Sequence, residues 1–176
     1  MPMVLFSLML VLFAVLLMSS WTDFRTMRIP NTYVGIVFVC FVAAYAAAPD
    51  AFGAWWEHAG ACMIVLIFTY ILFARGQLGA GDAKLGAAAA LWAGLPLLFL
   101  FVFYMALMGG VLGIAALILK KKKPVAQPRP GSWVAVMQEG GNAVPYGIAI
   151  SFGLMATLFH SGFISHRIDE VFKIIH

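Results

Sequence analysis

The chain has 176 residues, 64% apolar and 10% charged, with a formal net charge of +4 and a mean hydropathy of +0.99. Soluble domains average about half apolar and a quarter charged residues, so an aqueous fold of this size is excluded and the solvent is a bilayer. The length fits one membrane domain over 1–176, and the positive charge forms no basic helix or aromatic-interleaved patch, which argues against nucleic acid as a partner.

In chain order, the first predicted span covers 3–20. No Lys or Arg precedes it, the apolar run is too long for a signal-peptide core, and no A-x-A site follows, so it reads as an uncleaved span with its N-terminus outside. Further apolar segments cover 32–49 and 59–75, each near the roughly 20 residues a crossing needs. The stretch 83–119 would measure about 55 Å as one helix, against a hydrocarbon core of about 30 Å. Gly94-Leu95-Pro96 offers a break, because proline opposes helix continuation and glycine permits a turn. The expected spans are then 82–95 and 96–119, followed by 144–164. Gly109 and Gly113 form a G-x-x-x-G pair, expected to serve close packing within the bundle.

The charges set the expected topology. With six spans and the N-terminus outside, the inner loops 21–31, 76–82 and 120–143 with their flanks hold Arg25, Arg28, Arg75, Lys84, Lys120 to Lys123 and Arg129, nine of the eleven Lys/Arg. That agrees with the positive-inside rule, whereas an unbroken 83–119 would place the four-lysine run outside. The segment 120–143, rich in Pro and Gly, reads as a flexible cytoplasmic connection. Cys40 and Cys62 lie inside apolar segments, and the absence of a C-x-x-C pair or His/Cys cluster predicts no metal and no cofactor. The expectation is an all-α, polytopic membrane helix bundle of about six transmembrane helices.

Seven acids are available for chemistry. Asp50 and Glu57 sit beside Trp55 and Trp56 in an interfacial segment, Asp169 and Glu170 in the tail, and Glu139 in the polar loop. Asp23 and Asp82 each fall near a span end, and the topology puts both on the cytoplasmic side. Two carboxyls from separate helices that meet share a proton, so one activates a water while the other polarises a peptide carbonyl. Taken singly, each has a simpler explanation. Asp82 reads as the N-cap of the helix it opens, and Asp23 as a solvated acid paired with Arg25.

The motifs around the two acids add weight. Gly79-Ala80-Gly81-Asp82-Ala83-Lys84-Leu85 resembles the G-x-G-D-x-K-L signature of prepilin peptidases, which are intramembrane aspartyl proteases. Its glycines are expected to let backbone approach the carboxyl closely and to ease the start of the helix. Asp23-Phe24-Arg25-Thr26-Met27-Arg28-Ile29-Pro30-Asn31 resembles the family's first catalytic stretch, with Pro30 stopping one helix and Asn31 or Thr32 capping the next. Val144-Pro145-Tyr146-Gly147 resembles the segment opening the family's last helix.

The resemblance implies Asp23 and Asp82 as the catalytic pair, supported by Gly79, Gly81, Lys84, Arg25, Pro30, Asn31, Pro145, Tyr146 and Gly147. Lys84 and Arg25 are expected beside the aspartates. It further implies a multi-pass protein of the bacterial inner membrane whose partner is a prepilin or pilin-like precursor, cut at the cytoplasmic face to release a basic leader. The paired C-x-x-C motifs of the larger bifunctional members, which go with N-methylation, do not occur in this sequence, which argues against methyltransferase activity. The compact form resembles the peptidases of tight-adherence (Flp-type) pili, with archaeal preflagellin peptidases as relatives. The sequence assigns no oligomeric state. The rival from another class is a small ion- or proton-coupled transporter component, which would want its acids near the midplane. A structural subunit without chemistry leaves the glycines beside Asp82 unexplained.

Overall fold

The computed structural model describes residues 2–164, and the tail 165–176, with Arg167, Asp169, Glu170 and Lys173, lies outside the described residues. Its helices are α1 (Pro2–Thr26), α2 (Asn31–Ala47), α3 (Trp55–Ala74), α4 (Ala80–Lys122), α5 (Trp133–Gln138) and α6 (Tyr146–His160), with a short 3-10 turn at Pro49–Ala51. No strand occurs among the described residues. α1, α3 and α4 are long and apolar enough to cross a membrane, while α2 and α6 are shorter apolar helices.

α1 runs six residues past the predicted end of its span and carries Asp23 within its last turn. Leu5, Met9, Leu12, Leu16, Ser19 and Asp23 recur at alternating spacings of four and three, and all are buried. That spacing is a single helical stripe. Leu10, Leu17 and Met18 on the other faces are exposed. Both faces are apolar because one meets protein and the other lipid, so burial follows position on the stripe and not hydrophobicity. Asp23 is inside because it continues the stripe of Leu16 and Ser19.

The first part of α4 is the centre of the bundle. Every residue from Leu85 to Gly94 is buried, and most are Ala or Gly. Small side chains let neighbouring helices approach from all sides, which is how helices pack in lipid, where the hydrophobic drive between them is weak. Thr69 of α3 directs its hydroxyl to the Val65 carbonyl at 2.7 Å, and Trp92 donates its indole N–H to the Val37 carbonyl of α2 at 3.2 Å.

Helical geometry in α4 fails at Gly94, whose φ of 63° and ψ of 176° only glycine adopts without strain. Gly86 and Met105 line one cavity, although a continuous helix would set them about 28 Å apart. The chain therefore doubles back at Gly94. The turn is clasped by His58, which is 4% exposed. One ring nitrogen meets the Leu91 carbonyl, and Nε2 meets the Phe52 carbonyl at 3.0 Å. Phe41, Tyr45 and Phe52 surround the imidazole.

After the turn, Gly153 of α6 packs so closely on α4 that a Cβ there would fall 2.9 Å from the Met105 amide nitrogen. By contrast a Cβ added at Gly109 or Gly113 would meet nothing within 4 Å among the described residues, so the G-x-x-x-G pair does not serve close packing between these helices.

The segment between α4 and α6 is not a loose connection. α5 buries Trp133 and Met137 against Leu112, Ala116 and Ala149. Gln138 ties back to Val125 through two bonds, donating to its carbonyl at 2.8 Å and accepting from its amide at 3.2 Å. The Trp133 indole donates to the Ala143 carbonyl at 3.1 Å, and Ser132 caps the helix through the Ala135 amide. A buried Trp and a doubly paired Gln outweigh the turn-rich composition from which flexibility was expected.

Candidate active site

α1 ends where Met27 takes a left-handed conformation (φ 53°) and donates its amide to the Asp23 carbonyl at 2.8 Å. The Asp23 side chain, 3% exposed, accepts from the Gly147 amide at 2.8 Å through Oδ2. α6 begins at that point because Pro145, fully buried, forms its N-cap and leaves the next amides without helical partners. The hydroxyl of Ser151, one turn further on, donates to the Leu16 carbonyl at 3.0 Å and pins α6 to α1.

Gly147 has no spare room, since a Cβ would sit 2.9 Å from Asp23 Oδ2 and 2.8 Å from Ile29 Cδ1. Phe24, next to Asp23, meets the Trp133 ring edge-on at 6.0 Å. α5 thus braces the helix end that carries the acid.

Asp82 is not the N-cap of α4. That position is Gly79, which has an extended backbone, and Asp82 is the third helical residue. Its Oδ2 folds back so near the start of the helix that a Cβ on Gly79 would lie 2.7 Å away. Gly81 faces Ile29, with room for a Cβ only at 3.1 Å. The two glycines of the motif therefore have separate tasks, one admitting the Asp82 carboxyl and the other admitting the segment that follows α1. Asp82 Oδ1 is buried without a hydrogen-bond partner among the described residues.

The two acids come together. Both line a cavity of about 600 Å³ with Gly76, Gln77, Asn142 and Tyr146, and both line a second of about 290 Å³ with Arg28, Ile29 and Gly79. The Gly147 amide faces both carboxyls. An apolar cavity of about 330 Å³, lined by Val65, Phe68, Phe101 and Met105 among others, also reaches Asp82. A carboxyl pair with one unpartnered oxygen, open to both a polar and an apolar cavity, can hold a water against an extended peptide. No group of His, Cys, Asp and Glu suited to a metal ion occurs among the described residues.

The supporting residues divide. Gly79, Tyr146 and Gly147 adjoin the acids, with Gly81 and Pro145 shaping the approach. Arg25 does not pair with Asp23, because its guanidinium lies over the Trp21 ring at 4.1 Å. Lys84 points away too, donating to the Asn31 side chain at 3.2 Å and lining a different cavity between α2 and α3. Pro30, not Asn31 or Thr32, is the N-cap of α2, and Asn31 instead ties α2 to α4.

The basic side chain that does line an aspartate cavity is Arg28. Helical spacing puts Arg25 and Lys84 on the outer faces of their helices, which local sequence proximity to an acid does not reveal. Sequence reasoning also missed Gln77 and Asn142. Only the Gly76-Gln77 step after an apolar run hinted at a fixed turn there.

Residues 10–114, more than half of the sequence and including both Asp23 and Asp82, match the type IV leader peptidase family. The chain belongs to that family. No curated protein and no solved structure matches it. Membership brings a peptidase that processes leader peptides of the prepilin kind, and the long apolar helices agree with a membrane protein.

Proposed function

We propose that this leader peptidase is an intramembrane aspartyl endopeptidase in which Asp23 and Asp82 cut the leader from pilin-like precursors. The observation that carries this is the shared pair of cavities, in which acids from two separate helices meet and Asp82 Oδ1 is left without a partner. A buried unpaired oxygen costs about 1–3 kcal/mol, and such a site invites the water that the reaction consumes.

In this mechanism one carboxyl is ionised and the other protonated, as two acids at one site share a proton. The ionised acid takes a proton from the water as its oxygen bonds to the scissile carbonyl carbon. The protonated acid gives its proton to the carbonyl oxygen. When the tetrahedral intermediate collapses, the acid that took the water proton passes it to the leaving nitrogen as the C–N bond breaks, a hydroxyl of the intermediate returns a proton to the other acid, and the leader ends in a new carboxyl.

The remaining assignments follow the charges. The domain is single, and the helices cross six times if the two parts of α4 count separately. Lys120 donates to Asn142 at 2.8 Å, and Asn142 lines the aspartate cavity, so the lysine run sits at the same end as the acids. By the positive-inside rule that end is cytoplasmic, in the inner membrane of a bacterium, with the N-terminus outside. Both acids at one end also disfavour an ion path through the midplane.

The test is co-expression with a pilin-like precursor. Asp23→Asn and Asp82→Asn are each expected to lower leader removal by about 100-fold or more while the protein stays folded in the membrane. Wild-type processing by either variant would overturn the assignment.

A further inference from the structure

The apolar cavity of about 330 Å³ and the polar cavity of about 600 Å³ have four lining residues in common: Gln77, Leu78, Asp82 and Tyr146. They are two limbs of one cleft that meet at an acid. A peptide lying across the acid must pass these four side chains. Gln77 and Tyr146 both bring side chains that donate and accept and have no hydrogen-bond partner among the described residues, but only the Gln77 carboxamide offers an N–H and a C=O side by side, as a peptide backbone does.

The backbone beneath Gln77 is fixed. Gly76 (φ 71°) donates to the Phe73 carbonyl at 2.8 Å, and Gln77 donates to the Leu72 carbonyl at 2.9 Å. This is a Schellman closure of α3, which locks the chain leaving the helix. A rigid mount carrying a free amide side chain at the junction of two limbs is what pairing with an extended peptide backbone requires.

We propose that Gln77 is a positioning residue, its carboxamide pairing with a backbone amide of the substrate beside the scissile bond. This rests on the peptidase reading above. The bond holds the peptide across the junction of the limbs, equally before and during cleavage. Gln77 takes no part in proton transfer.

The experiment uses the full chain in lipid nanodiscs and a synthetic precursor with a lysine-bearing leader, a glycine junction and an apolar helix. In matched precursors, an ester replaces one of the two amides flanking the scissile bond, while the scissile amide itself is kept. Gln77→Leu is expected to raise KM about five- to tenfold with kcat nearly unchanged, as one lost hydrogen bond would. With wild-type protein one ester should raise KM similarly, whereas with Gln77→Leu that ester should add nothing, as expected when both changes remove one contact.

Unchanged KM in Gln77→Leu, or ester and side-chain effects that multiply, would overturn the proposal. So would a fall in kcat alone. Because Gln77 is exposed, the variant is expected to fold as the parent does. If Asp82→Asn still cleaves the precursor, the peptidase reading itself fails and takes this inference with it, an outcome distinct from a silent Gln77 change.

Discussion

Gly147 donates its backbone N–H to Asp23 Oδ2 at 2.8 Å, joining residues 124 positions apart. The bond places the start of α6 directly on the acid at the end of α1. An adjacent Asp82 completes the site, so three helices must dock together before two carboxyls meet.

Gly147→Ala should disable that docking. The added methyl has 2.9 Å to Asp23 Oδ2 and 2.8 Å to Ile29 Cδ1, so the helix or the acid must move. Overpacking of this kind costs about 1–3 kcal/mol. Processing of a co-expressed precursor should fall sharply while thermal unfolding in detergent shows a smaller loss. Near-normal processing would mean that the Asp23 carboxyl tolerates displacement.

Trp133→Ala should loosen α5. The indole is buried, contacts Phe24 and donates to Ala143. Trp truncations in cores cost about 3–5 kcal/mol. Limited proteolysis should cut the segment 123–143 much faster in this variant than in the parent, and leader removal should slow because Phe24 loses its brace beside Asp23. Equal proteolysis rates would show that α5 is held mainly through Gln138.

Gly94→Ala should damage the turn within α4. Its φ of 63° disfavours any side chain, and a Cβ would lie 3.0 Å from the His58 ring. Strain in such a backbone costs about 1–3 kcal/mol. His58→Leu should destabilise by a comparable amount, because whichever of the Leu91 and Phe52 carbonyls accepts the imidazole N–H loses its donor in a dry site. The two changes together should cost less than their sum, since they disrupt one clasp. Additive losses in thermal unfolding would argue that Gly94 and His58 act separately.

Much of the site was visible residue by residue. Asp23 and Asp82 stand out because few acids border the apolar segments, and the glycines at 79, 81 and 147 sit where a Cβ would crowd Asp82, Ile29 or Asp23. Gly94-Leu95-Pro96 marks the place where the helix breaks. The errors concern direction and partners. Arg25 and Lys84 are close to acids in sequence but sit on other faces, and α5 gains its order from contacts with α1, α4 and α6.

Composition and local pattern were enough to set the lipid solvent, the helical chain and which acids border the apolar segments. Each of these is set by composition and by the local cost of leaving a backbone amide or a charge unpaired in hydrocarbon. Tertiary structure alone decided that Asp23 faces inward, that Gly147 reaches it, and that Gln77 rather than Lys84 stands at the cleft. Those outcomes depend on how α1, α4 and α6 rotate about their axes when small residues let them close. In helices apolar on every side, that rotation leaves no mark in the order of the residues.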